Sequence, residues 1–513
     1  MTFEPGSPTM TRAVRSASAH EHFRPAAETF EAMLRWADSF EAPMDHGDFE
    51  PALGARMNEV ARRAYQGRLD RISSLEYAEW IAAGSPKSEG EEVRQRTRQV
   101  ETSFGRLTFR RLGYKIPGQV VRFPADERLN LPADTYTHPL RERVAEEAVV
   151  AGFDHAVERI DRTTGGHVPK RQVEELTVAA AQDFEKFYAR SRPVNDVLGE
   201  GALLLASSDG KGIRMLPKAL REATRKAKED EEAEAVRGDP MAKKKPRSHD
   251  KRMAMVTAVW EQTPMPRTAM DIVSELRRAP QSSERPRTPK LPRPHNKRVS
   301  ATVMAGVVVS VSSMFDELDR RDPTRTRRAN ILVDGEESQQ GAILTQGLAR
   351  QRPVMIVLDI IHVIHYLWLA GSALCRKDEK ATDVWLAKHL LMLLSNPVDQ
   401  LIDTLEQAVA AKRLTGSQRR PIDKALKYFR RNKSFMDYQT ALSQGLPIAS
   451  GVIEGACRHL VQDRLGITGA RWDLPSAEAV LRLRAVRASG DWNDYWRFHR
   501  EQEQTRNYAN AAA

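Results

Sequence analysis

Asp209, Asp334 and Glu454 stand where divalent-metal chemistry would need acids. Asp209 closes an apolar strand in Ser207-Ser208-Asp209-Gly210-Lys211-Gly212, and Asp334 closes another in Ile331-Leu332-Val333-Asp334-Gly335. Glu454 belongs to a helix in Ser450-Gly451-Val452-Ile453-Glu454-Gly455-Ala456-Cys457-Arg458-His459. The glycines after each Asp let the backbone turn sharply and leave the carboxylate open. Carboxylates at the ends of buried strands cost desolvation energy unless a cation neutralises them. Mg²⁺ prefers such oxygen ligands. Two ions held by three carboxylates activate an attacking hydroxyl and stabilise the leaving oxygen of a phosphodiester.

Plainer readings of the same residues stay open. An Asp-Gly pair after a strand is also an ordinary turn, and Glu454 four residues before Arg458 also reads as a surface ion pair. Gly451 and Gly455, four apart, imply a close approach on that helix face, with Ile453, Ala456, Leu460 and Val461 as its buried stripe. Asp359, His362 and His365 fall short of a zinc ligand set, so Asp359 reads as a helix cap. Gly201, Gly210 and Gly212 lack the Gly-Lys-Ser/Thr ending of a phosphate loop. Lys211 and Arg458 stand beside the acids as candidates to orient phosphates, and His459 reads as a surface histidine.

The chain around these residues has 513 residues, enough for about three domains. Its 80 Lys and Arg exceed its 69 Asp and Glu, giving a net charge of +11 and favouring a polyanionic partner, nucleic acid or acidic membrane. Two cysteines, Cys375 and Cys457, exclude a disulfide framework and a four-cysteine zinc site, and fit a reducing compartment. The most apolar stretch, Val354 to Leu374, is interrupted by Asp359, His362 and His365, so no membrane span is expected. With no apolar signal core in the first 30 residues, a cytoplasmic location is expected.

The elements that must position the acids follow from patterning. Residues 1–97 read as a polar helical region with an irregular first 25, and Glu91 to Arg98 as a solvated helix face. Residues 98–136 read as a β-hairpin, from the alternation of Leu107 and Phe109 with Arg106, Thr108 and Arg110 and from Val120-Val121 beyond Pro117-Gly118. In 137–195, Thr137 caps a helix with Leu140, Val144 and Ala148 inward, ended by Gly152. Phe153 to Ile160 forms a second helix, and Pro169 starts a third carrying Lys170, Arg171 and Gln172. That is helix-turn-helix spacing, although a purely structural three-helix scaffold has the same pattern.

Residues 196–374 alternate strands and helices. Ala202–Ser208, Met253–Trp260, Ala301–Val311, Asn330–Val333 and Val354–Leu358 read as strands, and Phe315–Arg320 and Gln340–Arg350 as helices. Leu216–Arg252 and Arg277–Arg298 read as charged, exposed loops able to hold phosphates without reading sequence, the first through Lys243-Lys244-Lys245-Pro246-Arg247. Residues 375–445 read as a helical insertion. Residues 446–513 read as a helix from near Pro447, carrying Glu454, and a helical tail.

Taken together, these segments resemble the ISKra-type bacterial insertion-sequence transposases, which belong with the Mutator-like DDE enzymes. The resemblance runs from about Ser103 to the C-terminus. Further residues that carry it are Leu358-Asp359-Ile360-Ile361-His362-Val363, Gly445-Leu446-Pro447-Ile448-Ala449, Thr468-Gly469-Ala470-Arg471-Trp472 and Tyr495-Trp496-Arg497-Phe498-His499.

The resemblance implies an RNase H-like α/β core with a helical insertion and transposition of the encoding element. It implies a triad of Asp209, Asp334 and Glu454 holding two Mg²⁺ ions, which Mn²⁺ can replace. Asp359 and His362 match an acid-x-x-His element after the second catalytic Asp. Lys170, Arg171, Gln172, Lys211, Arg458 and Arg471 are the expected DNA contacts. The partners are terminal repeats and target DNA, with self-association on paired ends. Two features depart from the family: the charged, Pro-rich loops, and a region around Tyr114–Gln119 with no cysteines for a zinc motif. A nuclease or resolvase of the same core without strand transfer, and a non-catalytic DNA-binding relic, remain the alternatives.

Overall fold

The computed structural model describes residues 8–39, 44–85, 91–190, 198–199, 201–237, 250–277, 291–411 and 414–509. They form two compact units. One comprises the chain up to Phe187 with the segment from Trp492 onward, the other Tyr188–Asp491.

The first unit opens with helices α1 (Pro8–Asp38) and α2 (His46–Ala82) and the hairpin β1 (Glu92–Thr102) and β2 (Gly105–Lys115), in register from Glu92↔Lys115 to Thr102↔Gly105. Glu91–Arg98, expected as a helix face, therefore lies mostly in β1. Its outer residues are solvated on both sides, which hides the period of two, and the buried alternation shows only in β2. The turn is at Ser103-Phe104, where Gly105 has φ +118° and the Thr102 hydroxyl donates to the Gly105 carbonyl at 2.8 Å. Val120, expected in the hairpin, is 92% exposed, and only Arg122 bridges back to Tyr114. Val100, Leu107 and Phe109 pack with Leu69 of α2.

After the short α3 (Pro124–Arg128), α4 (His138–Ala148), α5 (Phe153–Thr163) and α6 (Lys170–Ala180) close around Leu140, Val144, Ala148, Ile160 and Val173. Thr137 sits at the α4 N-cap without a side-chain capping bond, and Val149, not Gly152, ends that helix; Gly152 is the N-cap of α5. Next comes α7 (Phe184–Ala189). The C-terminal helix Trp492–Tyr508 belongs here, not with the Glu454 region: Tyr495 donates to the Ala180 carbonyl at 2.5 Å, and Glu503 accepts from Arg141 at 2.7 Å.

The second unit is mixed α/β. Its elements begin β3 (Leu203–Arg214), α8 (Glu222–Arg237), β4 (Lys251–Gln262), α9 (Ala269–Arg277), β5 (His295–Thr302), α10 (Val307–Arg321), β6 (Ala329–Val333), α11 (Glu337–Ala349), β7 (Val354–Leu358) and α12 (Ile360–Leu374). The strand order is β5-β4-β3-β6-β7, with β4 antiparallel to both neighbours and β3, β6 and β7 mutually parallel. The strand expected to run to Val311 stops at Thr302. Val307–Val311 instead starts α10 behind the N-cap Gly306, an apolar run whose composition serves either element.

Within the expected loop 216–252, Pro217–Ala219 forms a 3₁₀ turn, Glu222–Arg237 is α8, and Lys251 and Arg252 lie in β4. Lys243–Arg247 and most of 277–298 lie outside the described residues; His295–Arg298 begin β5.

Helices α13 (Glu379–Ser395), α14 (Val398–Ala411), α15 (Gly416–Asn432) and α16 (Tyr438–Ser443) fill the expected insertion. They are not a separate body. Leu390, Leu401, Leu405, Ile422 and Phe429 share one core with Leu204, Ile331 and Leu358 of the sheet. Each such fully buried side chain contributes about 1.5–3 kcal/mol. The helix expected from Pro447 begins at Gly451: α17 (Gly451–Ala456) passes into a π turn, Cys457–Gln462, then α18 (Asp463–Leu465) and, further on, α19 (Leu474–Ala488). Among the described residues no helix is long and apolar enough to cross a membrane.

Candidate active site

Asp209, Asp334 and Glu454 line one cavity of about 680 Å³, together with Lys211, His362 and Arg458. Each acid is placed by a different device.

Asp209 does not end its strand. β3 continues to Arg214 against β4, but its parallel ladder with β6 stops at Ser207↔Leu332. Two residues further on, β3 has no partner on that side, and there Asp209 lines the cavity. The expected sharp turn at Gly210 and Gly212 is absent, because both pair with β4. The preceding hydroxyls tie the strand down: Ser207 donates to the Leu332 carbonyl at 2.8 Å and Ser208 to Gln339 Oε1 at 2.6 Å. Asp209 accepts from the Gly210 N–H through Oδ1 at 2.6 Å and from the Cys457 thiol through Oδ2 at 3.3 Å. Burial and the Asp209 charge push the Cys457 thiol up, so it stays a protonated donor.

Asp334 does end its strand, in a turn, and lines the cavity. Its Oδ1 accepts from the Glu336 N–H at 3.1 Å. Gly335 has φ +95°, and a Cβ there would lie 2.9 Å from Tyr428 Oη. Tyr428 donates to the Asp334 carbonyl at 2.8 Å and Arg431 to the Gly335 carbonyl at 2.7 Å, so α15 holds the turn. Burial, seconded by the negative Asp209, raises the Asp334 carboxyl above its ordinary value, against the Glu336 N–H and His362.

Glu454 rises exposed from the first turn of α17, while Ile453, Ala456, Leu460 and Val461 are buried as expected. Arg458 pairs with Asp463 at 3.6 Å, not with Glu454. Among the described residues, nothing outside the helix's own backbone and the adjoining residues lies within 4 Å of where a Cβ on Gly451 or Gly455 would be, so none of them makes the expected close approach, and both glycines line the cavity. π turns recur at functional sites, and this one begins at Cys457, three residues beyond Glu454.

Asp359 is fully buried and outside the cavity. It caps α12 through Oδ1, from the Ile361 N–H at 2.8 Å, and takes the Ser450 N–H (3.2 Å) and hydroxyl on Oδ2. His362, one turn on, does reach the cavity, whereas His365 packs its ring against Tyr366 at 5.8 Å. Arg471 is exposed and does not line the cavity. Lys170 and Arg171 are exposed and Gln172 is half-buried at the start of α6 in the first unit, bonded to Asp154 and Glu175.

Residues that patterning did not single out include Tyr428, Arg431, Ser450 and Gln339. Their roles are long-range bonds with no local signature. Cys457 alone was legible, because an i, i+3 spacing puts it on the Glu454 face.

Three carboxylates on one cavity are the oxygen donors a hard divalent cation takes, and the charge of Asp209 disfavours ionisation of Asp334. Among the described residues no three His, Cys, Asp or Glu side chains are gathered tightly enough to hold an ion. The acids share a cavity, not a finished coordination sphere. No protein-family model matches this chain, and no curated protein matches it.

Proposed function

We propose that this protein is a DDE transposase with an RNase H-like core that nicks DNA at the terminal repeats of its own insertion sequence and joins the freed 3′-OH to target DNA. The observation that carries the reading is the meeting of Asp209, Asp334 and Glu454 on one cavity rimmed by Lys211 and Arg458. A mixed five-stranded sheet supports the core, and the net charge of +11 supports DNA as partner.

The three acids would hold Mg²⁺, or Mn²⁺ in its place, which when bound supplies activation of water or a 3′-OH and stabilisation of the leaving oxygen. The chain's own residues do the rest. Lys211 and Arg458 draw the scissile phosphate toward the acids. Tyr428 and Arg431 keep the Asp334 turn in place, and the Asp359–Ser450 latch fixes where α17 starts. The first unit, through α6, engages the terminal repeats, and the enzyme works on paired ends as a homo-oligomer in the cytoplasm, on the nucleoid.

The test is Mg²⁺-dependent cleavage and joining of a labelled terminal-repeat duplex. Wild type performs both steps, and Asp334→Asn and Glu454→Gln perform neither. Cleavage without joining makes the protein a nuclease, and absence of both in wild type overturns the reading.

A further inference from the structure

Helix α15 carries six cations and one acid in 17 residues, a net +5 in a chain whose total is +11. The placement is as marked as the number. Arg420, Lys424, Lys427 and Arg431 follow at i, i+4, i+7 and i+11, a single stripe roughly 16 Å long. All four are exposed, while Ile422, Ala425, Leu426 and Phe429 anchor the opposite face in the core. The helix is built to be rigid: Thr415 and Gln418 form a capping box, and Tyr428 stacks on Tyr366 of α12 with centroids 4.0 Å apart.

Neighbouring acids do not cancel the stripe. Asp423, the one acid on the helix, pairs with Arg419 at 3.4 Å, and Glu406 of α14 pairs with Arg430. Glu337 of α11 lies 3.2 Å from Arg431. Among the described residues no carboxylate pairs with Arg420, Lys424 or Lys427; Lys424 instead lies 5.4 Å from the centroid of the Tyr366 ring. The stripe ends at the candidate site, where Arg431 donates to Gly335 and Tyr428, beside it on the helix, donates to Asp334.

We propose that this face of α15 is a DNA-backbone contact, a track for consecutive phosphates that leads to the Asp334 turn. The inference rests on the reading of the protein as a DNA-acting enzyme and adds a surface to it. Exposed cations spaced along one rigid face recognise phosphates by charge and without regard to base sequence.

The test is fluorescence anisotropy of the full chain with a labelled duplex of arbitrary sequence, titrated over a range of salt. Arg420→Gln/Lys424→Gln/Lys427→Gln is compared with Arg24→Gln/Arg35→Gln/Arg68→Gln, three exposed positions on α1 and α2, outside the α4–α6 block. The α15 variant is expected to lose roughly two to three units from the slope of log K against log salt. The control is expected to keep the wild-type slope. Arg420→Lys, which keeps the charge, also keeps the slope, and unchanged thermal melting shows that the fold is intact. A wild-type slope in the α15 variant overturns the surface and leaves the DNA-acting reading standing. No duplex binding by wild type overturns both. Loss of binding to phosphatidylserine vesicles, with duplex binding unaltered, assigns the stripe to a membrane and overturns it as well.

Discussion

Two aspartates end two adjacent parallel strands and meet opposite fates. Asp334 follows β6, and the chain turns there through Gly335, so the carboxylate stays half-open on the cavity. Asp359 follows β7, and the chain enters α12 at once. Its carboxylate goes to the cap and to Ser450, with none of it exposed. A strand-end acid is therefore not enough for a site. The element that follows decides whether its oxygens remain available or are consumed by backbone N–H groups.

The comparison breaks most visibly on activity. Asp334→Asn is expected to reduce strand cleavage to background while the chain stays folded, whereas Asp359→Asn keeps Mg²⁺-dependent cleavage in whatever fraction folds; equal losses in the two would erase the distinction. Stability should run the other way. Asp359→Asn weakens a buried acceptor of several N–H and O–H donors, at a cost of about 2–4 kcal/mol, read from the denaturant midpoint. Gly335→Ala places a Cβ against Tyr428 in left-handed backbone, for about 1–3 kcal/mol and a matching loss of cleavage. Tyr428→Phe deletes one hydrogen bond to the Asp334 carbonyl, worth about 0.5–1.5 kcal/mol, and should lower cleavage without changing duplex affinity.

The smallest effect is the pH dependence, where the sign sharpens the contrast. The Asp334 carboxyl is raised in the folded chain. Its contribution to stability is then fully present below the ordinary carboxyl value and lost as pH rises through the folded one. Asp334→Asn removes that loss, so without metal the variant should gain on wild type in melting temperature as pH climbs above about 4. A variant that tracks wild type at every pH would mean that Asp334 is not disfavoured as an anion.

Much of this site was legible in sequence because its signals are local. Asp-Gly after an apolar run places a carboxylate at a strand end, and the buried Ile453, Ala456, Leu460 and Val461 fix which way Glu454 faces. What failed was non-local. Asp209 was read as a strand end because Gly210 and Gly212 look like a turn, but pairing with β4 overrides local propensity. Val307–Val311 is apolar enough for a strand and becomes helix behind Gly306. Residues 375–445 are helical as read, but composition does not show that Phe429 and Leu401 share a core with Leu358. Glu91–Arg98 hid a strand because charge on both faces conceals its alternation.

The helix Trp492–Tyr508 sets an order of events during synthesis. Its Glu503 neutralises the buried Arg141, and its Arg506 and His499 meet the buried Asp183. Until that helix leaves the ribosome, Arg141 and Asp183 lack these partners, while every residue of the Tyr188–Asp491 unit has already been made. The unit whose chain begins first is thus the unit completed last, and a chain cut short before Trp492 lacks the helix that closes the N-terminal unit.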